Sequence, residues 1–297
     1  MRAGFIGAGK VGFSLGKYLK ENGVEITGYF SKSPESAKSA ADFTNTKLYK
    51  SIENILSDSD TLFITVPDGQ ISKVWDYMKN LDIKNKNICH CSGSISSTVF
   101  FDGENLGANI YSVHPLYAIS DKCESWKHLN KAYFTVEGSA ENLDEIKRIF
   151  ERAGNKVIAM GAENKSLYHC GAVVVSNLVN GLFQVGAEML VKCGFDKKDA
   201  KKALVPLFTG NADTLAEKGV AAALTGPVER NDLSTITKHI EAIKAAWINE
   251  SEEKVGYEMI YLLLSEKLLS IAQEKHLDSD YLKMTEVIKN EKHSIHF

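Results

Sequence analysis

The sequence predicts an α/β N-terminal domain with a mostly parallel, doubly wound sheet, followed by an all-α C-terminal domain. Three observations carry this expectation. From the first residue to about residue 160, short β-branched or aromatic runs alternate with longer amphipathic segments, the pattern of βαβ units. A glycine-rich turn, Gly7-Ala8-Gly9-Lys10-Val11-Gly12, separates the first apolar run from the first helical segment. From Glu163 onward the strand patterns cease and helical periodicity continues alone.

In order, strands are expected at 2–7, 25–31, 46–49, 60–66, 86–91, 109–113, 131–137 and 156–160. Helices are expected between them at 10–22, 34–43, 69–80 and 141–153, the first closed by the glycine after Asn22. The second part reads as helices at 163–193, 196–206, 212–223, 232–249, 252–276 and 278–290. Domains of 1–160 and 161–297 follow, with no low-complexity linker between them, and 297 residues suit two domains.

Composition narrows the class of function. With 44% hydrophobic and 25% charged residues the chain can bury an ordinary globular core. Thirty-five Lys and Arg against 38 Asp and Glu leave a net charge of −3, so no global field attracts nucleic acid or an anionic membrane. A small-molecule partner is expected. The first residues run straight into a strand pattern without a secretory signal, and no run approaches the length of an apolar span. Five cysteines, an odd number without paired CxxC motifs, point to reduced thiols in a cytoplasmic protein with no metal site.

The glycine-rich turn has the context that gives GxGxxG meaning, after a strand and opening a helix. Gly7 permits the tight turn, Gly9 lets backbone approach a pyrophosphate, and Gly12 lets helix and strand pack closely. Ala8, Lys10 and Val11 complete the loop, whose helix N-terminus offers partial positive charge and free N–H groups. This is a dinucleotide-binding, Rossmann-type reading. At the end of the second strand an acid would bind the ribose 2′-hydroxyl and repel a 2′-phosphate; the chain instead has Ser31-Lys32-Ser33 before Pro34. Two hydroxyls, a cation and a helix N-terminus favour NADP(H), although Ser31 and Ser33 also suit a plain helix cap. Val66 and Pro67 after the fourth strand, and Ser92 after the fifth, stand where strand ends meet the cofactor.

For chemistry, His114 before Pro115 ends the sixth strand pattern near where a nicotinamide would lie. His90 is as readily a buried strand residue. At 100° per residue, Lys165, Tyr168, His169, Ala172, Ser176 and Asn180 fall within about 60° of one direction, a polar stripe on an otherwise apolar helix, with Asn177 on its flank. Hydride transfer to a carbonyl builds negative charge on oxygen, so Lys165 and His169, one turn apart, suit stabilising and protonating it. Spacing does not tell which donates the proton. Farther on, Arg230 would suit a substrate carboxylate, and Asp232 beside it suits a helix cap.

Together these motifs resemble the superfamily of ketopantoate reductase, pyrroline-5-carboxylate reductase, 6-phosphogluconate dehydrogenase and prephenate dehydrogenase. GAGKVGFSLGKYL, VPD at 66–68, HCSGS at 90–94, HPLYA at 114–118, Tyr168-His169 followed by Ser176-Asn177, and GPVERND at 226–232 are similar to one family of it: Rossmann-like proteins with a C-terminal helical domain of unknown function. The resemblance covers the chain to about residue 255. It implies NADPH-dependent reduction of a small 2-oxo acid, with 2-dehydropantoate in pantothenate synthesis the first substrate, and a homodimer formed through the helical domain. Another oxo acid or an imine as substrate, or a non-catalytic NADP(H) sensor, are the alternatives. The superfamily's Lys with Asn four residues later is met here by Lys165 with His169, so the asparagine's substrate contact falls to Asn177 or Asn180.

Overall fold

The computed structural model describes residues 1–295. The chain begins β1 (Arg2–Ile6), α1 (Lys10–Glu21), β2 (Glu25–Phe30), α2 (Pro34–Thr44), β3 (Lys47–Leu48), α3 (Ile52–Asp58), β4 (Thr61–Ile64), α4 (Asp68–Met78) and β5 (Asn87–His90). It continues with β6 (Asn109–Leu116), β7 (Tyr133–Gly138), α5 (Leu143–Arg152) and β8 (Lys156–Ala159). These strands form one sheet in the order β3-β2-β1-β4-β5-β6-β7-β8. The first six spatial positions are a doubly wound order, which reverses between β1 and β4 and so opens a crevice at the carboxyl ends of those strands. β7 runs antiparallel to β6, and β8 runs parallel to β7.

Strand alternation splits the core into two layers. Phe5, Tyr29, Phe63, Tyr111 and Phe134 bury on one face with Phe13 and Leu15 of α1 and Phe150 of α5. Ile6, Leu62, Ile64 and Ile88 bury on the other with Ile71 and Trp75 of α4 and with Phe100. In register across three strands, Phe5 stacks on both Tyr29 and Phe63 with ring centroids 5.3 Å apart. Truncating such a buried ring costs about 3–5 kcal/mol, so this stack ties the glycine-loop strand to its neighbours.

The structure differs from the sequence reading in four places. α3 was not anticipated; it has seven residues, too few to show a period, and starts at Ser51, whose side chain accepts from Asn54 N. β6 extends through His114 and Pro115 to Leu116, because β7 pairs with it there while its pairing with β5 stops at Ser112, leaving the proline's missing N–H without consequence on that side. The helix expected at 163–193 is two: α6 (Lys165–Val175) and α7 (Asn177–Lys192), parted at the turn residue Ser176, with φ of −118° and ψ of −72°. The helices expected at 196–206 and 212–223 are instead α8 (Lys197–Lys218), which runs through Pro206, and the short α9 (Val220–Ala223). One proline removes a single intrahelical bond, and the good helix formers around it keep the helix going.

The chain divides into two compact units, Met1–Val175 and the part from Ser176 onward. Strand patterns end near Gly161, yet α6 groups with the sheet because its first residue, Lys165, is buried in it. The second unit is helical: α7 to α9, then α10 (Leu233–Ala246), α11 (Ser251–Lys275) and α12 (Leu282–Ser294). Its core holds Ile236, Ile240, Leu262, Leu269, Met284 and Ile288. Asp232 caps α10, accepting from Thr235 N at 3.0 Å.

Candidate functional site

At the crevice, Gly7 takes a φ of +109°, and a Cβ on Gly12 would stand 2.3 Å from Thr65 Oγ1 and 2.6 Å from the Gly7 carbonyl. Thr65, at the end of β4, fixes the loop by donating to Gly7 O at 2.8 Å. Gly9 is the N-cap of α1 and brings no side chain to the first turn, which also lacks an acid, so its N–H groups stay available to an anion.

A groove of about 470 Å³ opens here, lined by Gly7, Ala8 and Gly9, by Ser31 and Lys32, and by Val66 and Pro67. The structure thus brings residues of three loops, those after β1, β2 and β4, to one cavity. Lys10, Val11 and Gly12 lie behind them in α1, and Ser33 serves as the N-cap of α2, accepting from Ser36 N at 3.2 Å. The same groove takes Lys50, Ser51, Gln70 and Lys73, which sequence reading missed. Lys50 and Ser51 follow the two-residue strand β3, too short to mark their place. Lys32, Lys50 and Lys73 line the groove against one acid, Glu53, which accepts from the Tyr77 hydroxyl, and this excess of positive charge suits a phosphate dianion.

The second cluster lies across β5, β6 and β7. Register pairs His90 with Ser112 and Ser112 with Glu137, so three buried polar side chains form a row on one face. Lys165 enters this row from α6. Its side chain is 1% exposed, and Nζ donates to Ser112 Oγ at 2.6 Å. Burial lowers the Lys165 pKa, and the Glu137 carboxylate, with smaller help from Cys91 and Asp68, acts against that fall. Glu137 itself accepts from Ser97 N at 2.6 Å and Ser97 Oγ at 2.7 Å. No periodicity marked Glu137; only strand register brings it under the lysine.

One step toward the carboxyl end of β6, His114 Nδ1 lies 2.7 Å from the Tyr168 hydroxyl, with the rings edge to face. The two pairs follow from geometry. Two strand residues advance about 6.6 Å and three or four helical residues about 4.5–6 Å, so Lys165 meets Ser112 as Tyr168 meets His114. His169 completes the cluster beside His114: a Cβ on Gly93 would come within 2.8 Å of His169 Cδ2 and 2.9 Å of His114 Nε2. Burial, reinforced by the nearby positive charge of Lys165 and by His169, pushes His114 down to about 4, and burial pushes His90 down to about 4. Burial raises the Tyr168 hydroxyl.

Asp68 links this cluster to the groove. It opens α4 directly after the groove residue Pro67, and its Oδ2 accepts from Ser92 Oγ at 2.9 Å and Ser94 Oγ at 3.0 Å, on either side of Gly93. The structure therefore joins Lys165, His169, His114 and Ser92 within the first unit. Asn177, Asn180 and Arg230 belong to the second unit, where Asn180 Nδ2 donates to Asn177 O at 3.2 Å within α7.

Residues 2–89 match the family described as NADP oxidoreductase, coenzyme F420-dependent, and residues 132–267 match a domain of unknown function, DUF2520. The chain joins an NADP-oxidoreductase Rossmann domain to a DUF2520 domain. Its cofactor is NADP(H), and the protein stands among the NADP-dependent oxidoreductases. Among solved structures it is similar to protein TM1727 of Thermotoga maritima, with 25% identity and a TM-score of 0.70 over 92% of this chain and 99% of that one. It is also similar to BF3122 of Bacteroides fragilis, described as a candidate NADP oxidoreductase, with 20% identity and a TM-score of 0.67 over 91% and 98%. A reductive aminase of Aspergillus terreus, in complex with NADPH and ethyl-5-oxohexanoate, shares the fold at 14% identity and a TM-score of 0.60 over 96% and 98%. No curated protein matches the chain.

Proposed function

We propose that the protein reduces the ketone of a small 2-oxo acid with NADPH, and that 2-dehydropantoate is the first substrate to test. The observation that carries this reading is the buried Lys165, set with His114, Tyr168 and His169 in a cluster that Asp68 connects to the dinucleotide groove. Bound NADPH would supply the hydride. Gly7, Ala8 and Gly9 would hold its pyrophosphate with the first turn of α1, and Ser31, Lys32 and Lys50 its 2′-phosphate. Lys165, beneath the site and favoured in its charged form by Glu137, would stabilise negative charge growing on the substrate oxygen. His114, His169 and Ser92 surround the place where that oxygen would sit. The domain boundary near Gly161 is proposed as the functional one, with α6 carrying the reactive side chains although it packs on the sheet.

The test is loss of NADPH absorbance with 2-dehydropantoate, run beside a panel of other oxo acids and cyclic imines. Turnover of 2-dehydropantoate, reduced by most of its rate in Lys165→Ala, supports the reading. Likeness to the reductive aminase favours an imine as the second reading, and turnover restricted to imines would select it. Tight NADPH binding with no acceptor reduced would overturn both and leave a cofactor sensor.

The working form is proposed to be a cytoplasmic homodimer. The stretch Ala162–Lys192 is apolar and long enough to cross a membrane by length and composition, and only 6% of its most apolar window is buried. Leu178 and Leu182 on α7, in the second unit, are exposed. A second copy covering these side chains accounts for an apolar surface on a protein otherwise built as a dinucleotide enzyme.

A further inference from the structure

We propose that Tyr168 is the proton donor of the reduction, and that His114 is a positioning residue that holds and reprotonates its hydroxyl; this rests on the reductase reading above. Of Lys165, His114, Tyr168 and His169, Lys165 is the least able to touch a substrate. Its side chain is 1% exposed and its Nζ is committed to Ser112. The Tyr168 hydroxyl lies one helical turn farther along, on the side toward the carboxyl end of β6, and its residue is only partly buried. A phenol whose pKa burial raises stays protonated at neutral pH and so carries a proton to give.

His114 is neutral at that pH, which leaves two tautomers. With the proton on Nε2, the 2.7 Å contact would use the phenol's own proton to reach Nδ1. With the proton on Nδ1, the ring donates to the phenolic oxygen and frees the O–H for a substrate. Proton donation by Tyr168 uses the second arrangement, in which Nε2, beside the Gly93 backbone, is the acceptor. Lys165 Nζ, 5.6 Å from the Tyr168 ring centroid, adds positive charge that steadies the phenolate left behind.

The step balances. As the substrate carbon accepts the hydride, the carbonyl π pair moves to oxygen, and that oxygen forms its O–H bond with the Tyr168 proton. The phenolate then takes the Nδ1 proton of His114 while Nε2 takes one from water, and proton exchange with solvent returns the neutral ring to its Nδ1–H tautomer before the next turnover. The net change is one hydride from NADPH and one proton from solvent, giving an alcohol and NADP+.

The experiment combines kinetics with nitrogen-15 NMR of His114 in the full-length protein. In the wild type at neutral pH the His114 signal is expected to be that of a neutral ring protonated at Nδ1, and Tyr168→Phe should shift it. Tyr168→Phe should lower kcat by about 10²–10⁴-fold, the range for a lost general acid, while the Kd for NADPH, read by fluorescence, stays within about twofold. His114→Asn, whose side-chain amide can replace the Nδ1 donor, should keep part of the rate and change its solvent isotope effect. Gly93→Ala should disturb the His114 signal by pressing on both rings. A ring protonated at Nε2, or a Tyr168→Phe enzyme retaining most of its rate on an acceptor the wild type reduces, overturns the proposal alone. Failure of the wild type to reduce any acceptor overturns the reductase reading and the proposal with it.

Discussion

Replacing His90 by asparagine should make the protein less sensitive to acid. His90 is fully buried on β5, its ring meets Phe100 edge on, and its Nδ1 accepts from Ser92 N at 3.2 Å. Burial pushes its pKa from 6.5 down to about 4. Above pH 6.5 the ring is neutral in both folded and unfolded chains and exerts no pH dependence. As the pH falls from 6.5 toward 4 the unfolded chain binds a proton that the folded chain refuses, so stability declines; below 4 both are charged and the loss is complete. The gap between those two pKa values corresponds to about 3 kcal/mol at full extent. His114, with the same folded value and cause, adds a loss of similar size over the same window. Urea unfolding at several pH values between about 7 and 4 should therefore show a steeper loss of stability with falling pH in the wild type than in His90→Asn, the difference being the share of one histidine. The asparagine oxygen can still accept from Ser92 N, so the packing cost of the change lowers stability at every pH and leaves the slope to report titration alone. An unchanged slope in His90→Asn would refute the argument that burial excludes the proton.

Two further outcomes follow from the same row of side chains and from the exposed helix. Glu137→Gln removes a buried charge that accepts two hydrogen bonds from Ser97 and raises the Lys165 pKa, so it should destabilise by about 2–3 kcal/mol and move the alkaline limb of kcat/KM to lower pH. An unmoved limb would mean that Lys165 does not feel Glu137. Light scattering of the purified protein should give about twice the chain's 32.7 kDa, and Leu178→Glu should shift it toward the single-chain mass; a single-chain mass in the wild type would rule out the dimer.

The parts legible in the sequence were those written in local chemistry. GxGxxG between a strand and a helix located the loop, and the absence of an acid beside Ser31 and Lys32 gave the cofactor, now matched by the NADP-oxidoreductase family. Alternating β-branched runs located every strand, down to the two-residue β3. What stayed hidden depended on pairing between distant segments. Glu137 looks like any strand glutamate until β7 reverses against β6 and sets it beside Ser112. Lys50 and Lys73 lie in unremarkable polar surroundings and become partners of Lys32 only when the groove forms. The stripe from Lys165 to Asn180 was read from an unbroken 100° repeat, and the break at Ser176 divides it between the two units. Tyr168 lies in the same stripe, and only the register of β6 sets His114 against its hydroxyl.

The reversal of β7 and β8 also decides the direction in which the chain approaches its own chemistry. Had these strands continued parallel to β6, the polypeptide would leave the sheet at the crevice, and any following helix would begin beside the dinucleotide and travel away from it. Because they run the other way, the chain departs at the opposite rim, and α6 climbs back along β6 with Lys165 low and Tyr168 high. A residue inserted or deleted between Lys165 and Tyr168, inside the helix, would turn one of these contacts about 100° away from the other. That stretch of α6 is therefore a ruler, whose three-residue step has to match the two-residue step of β6 beside it.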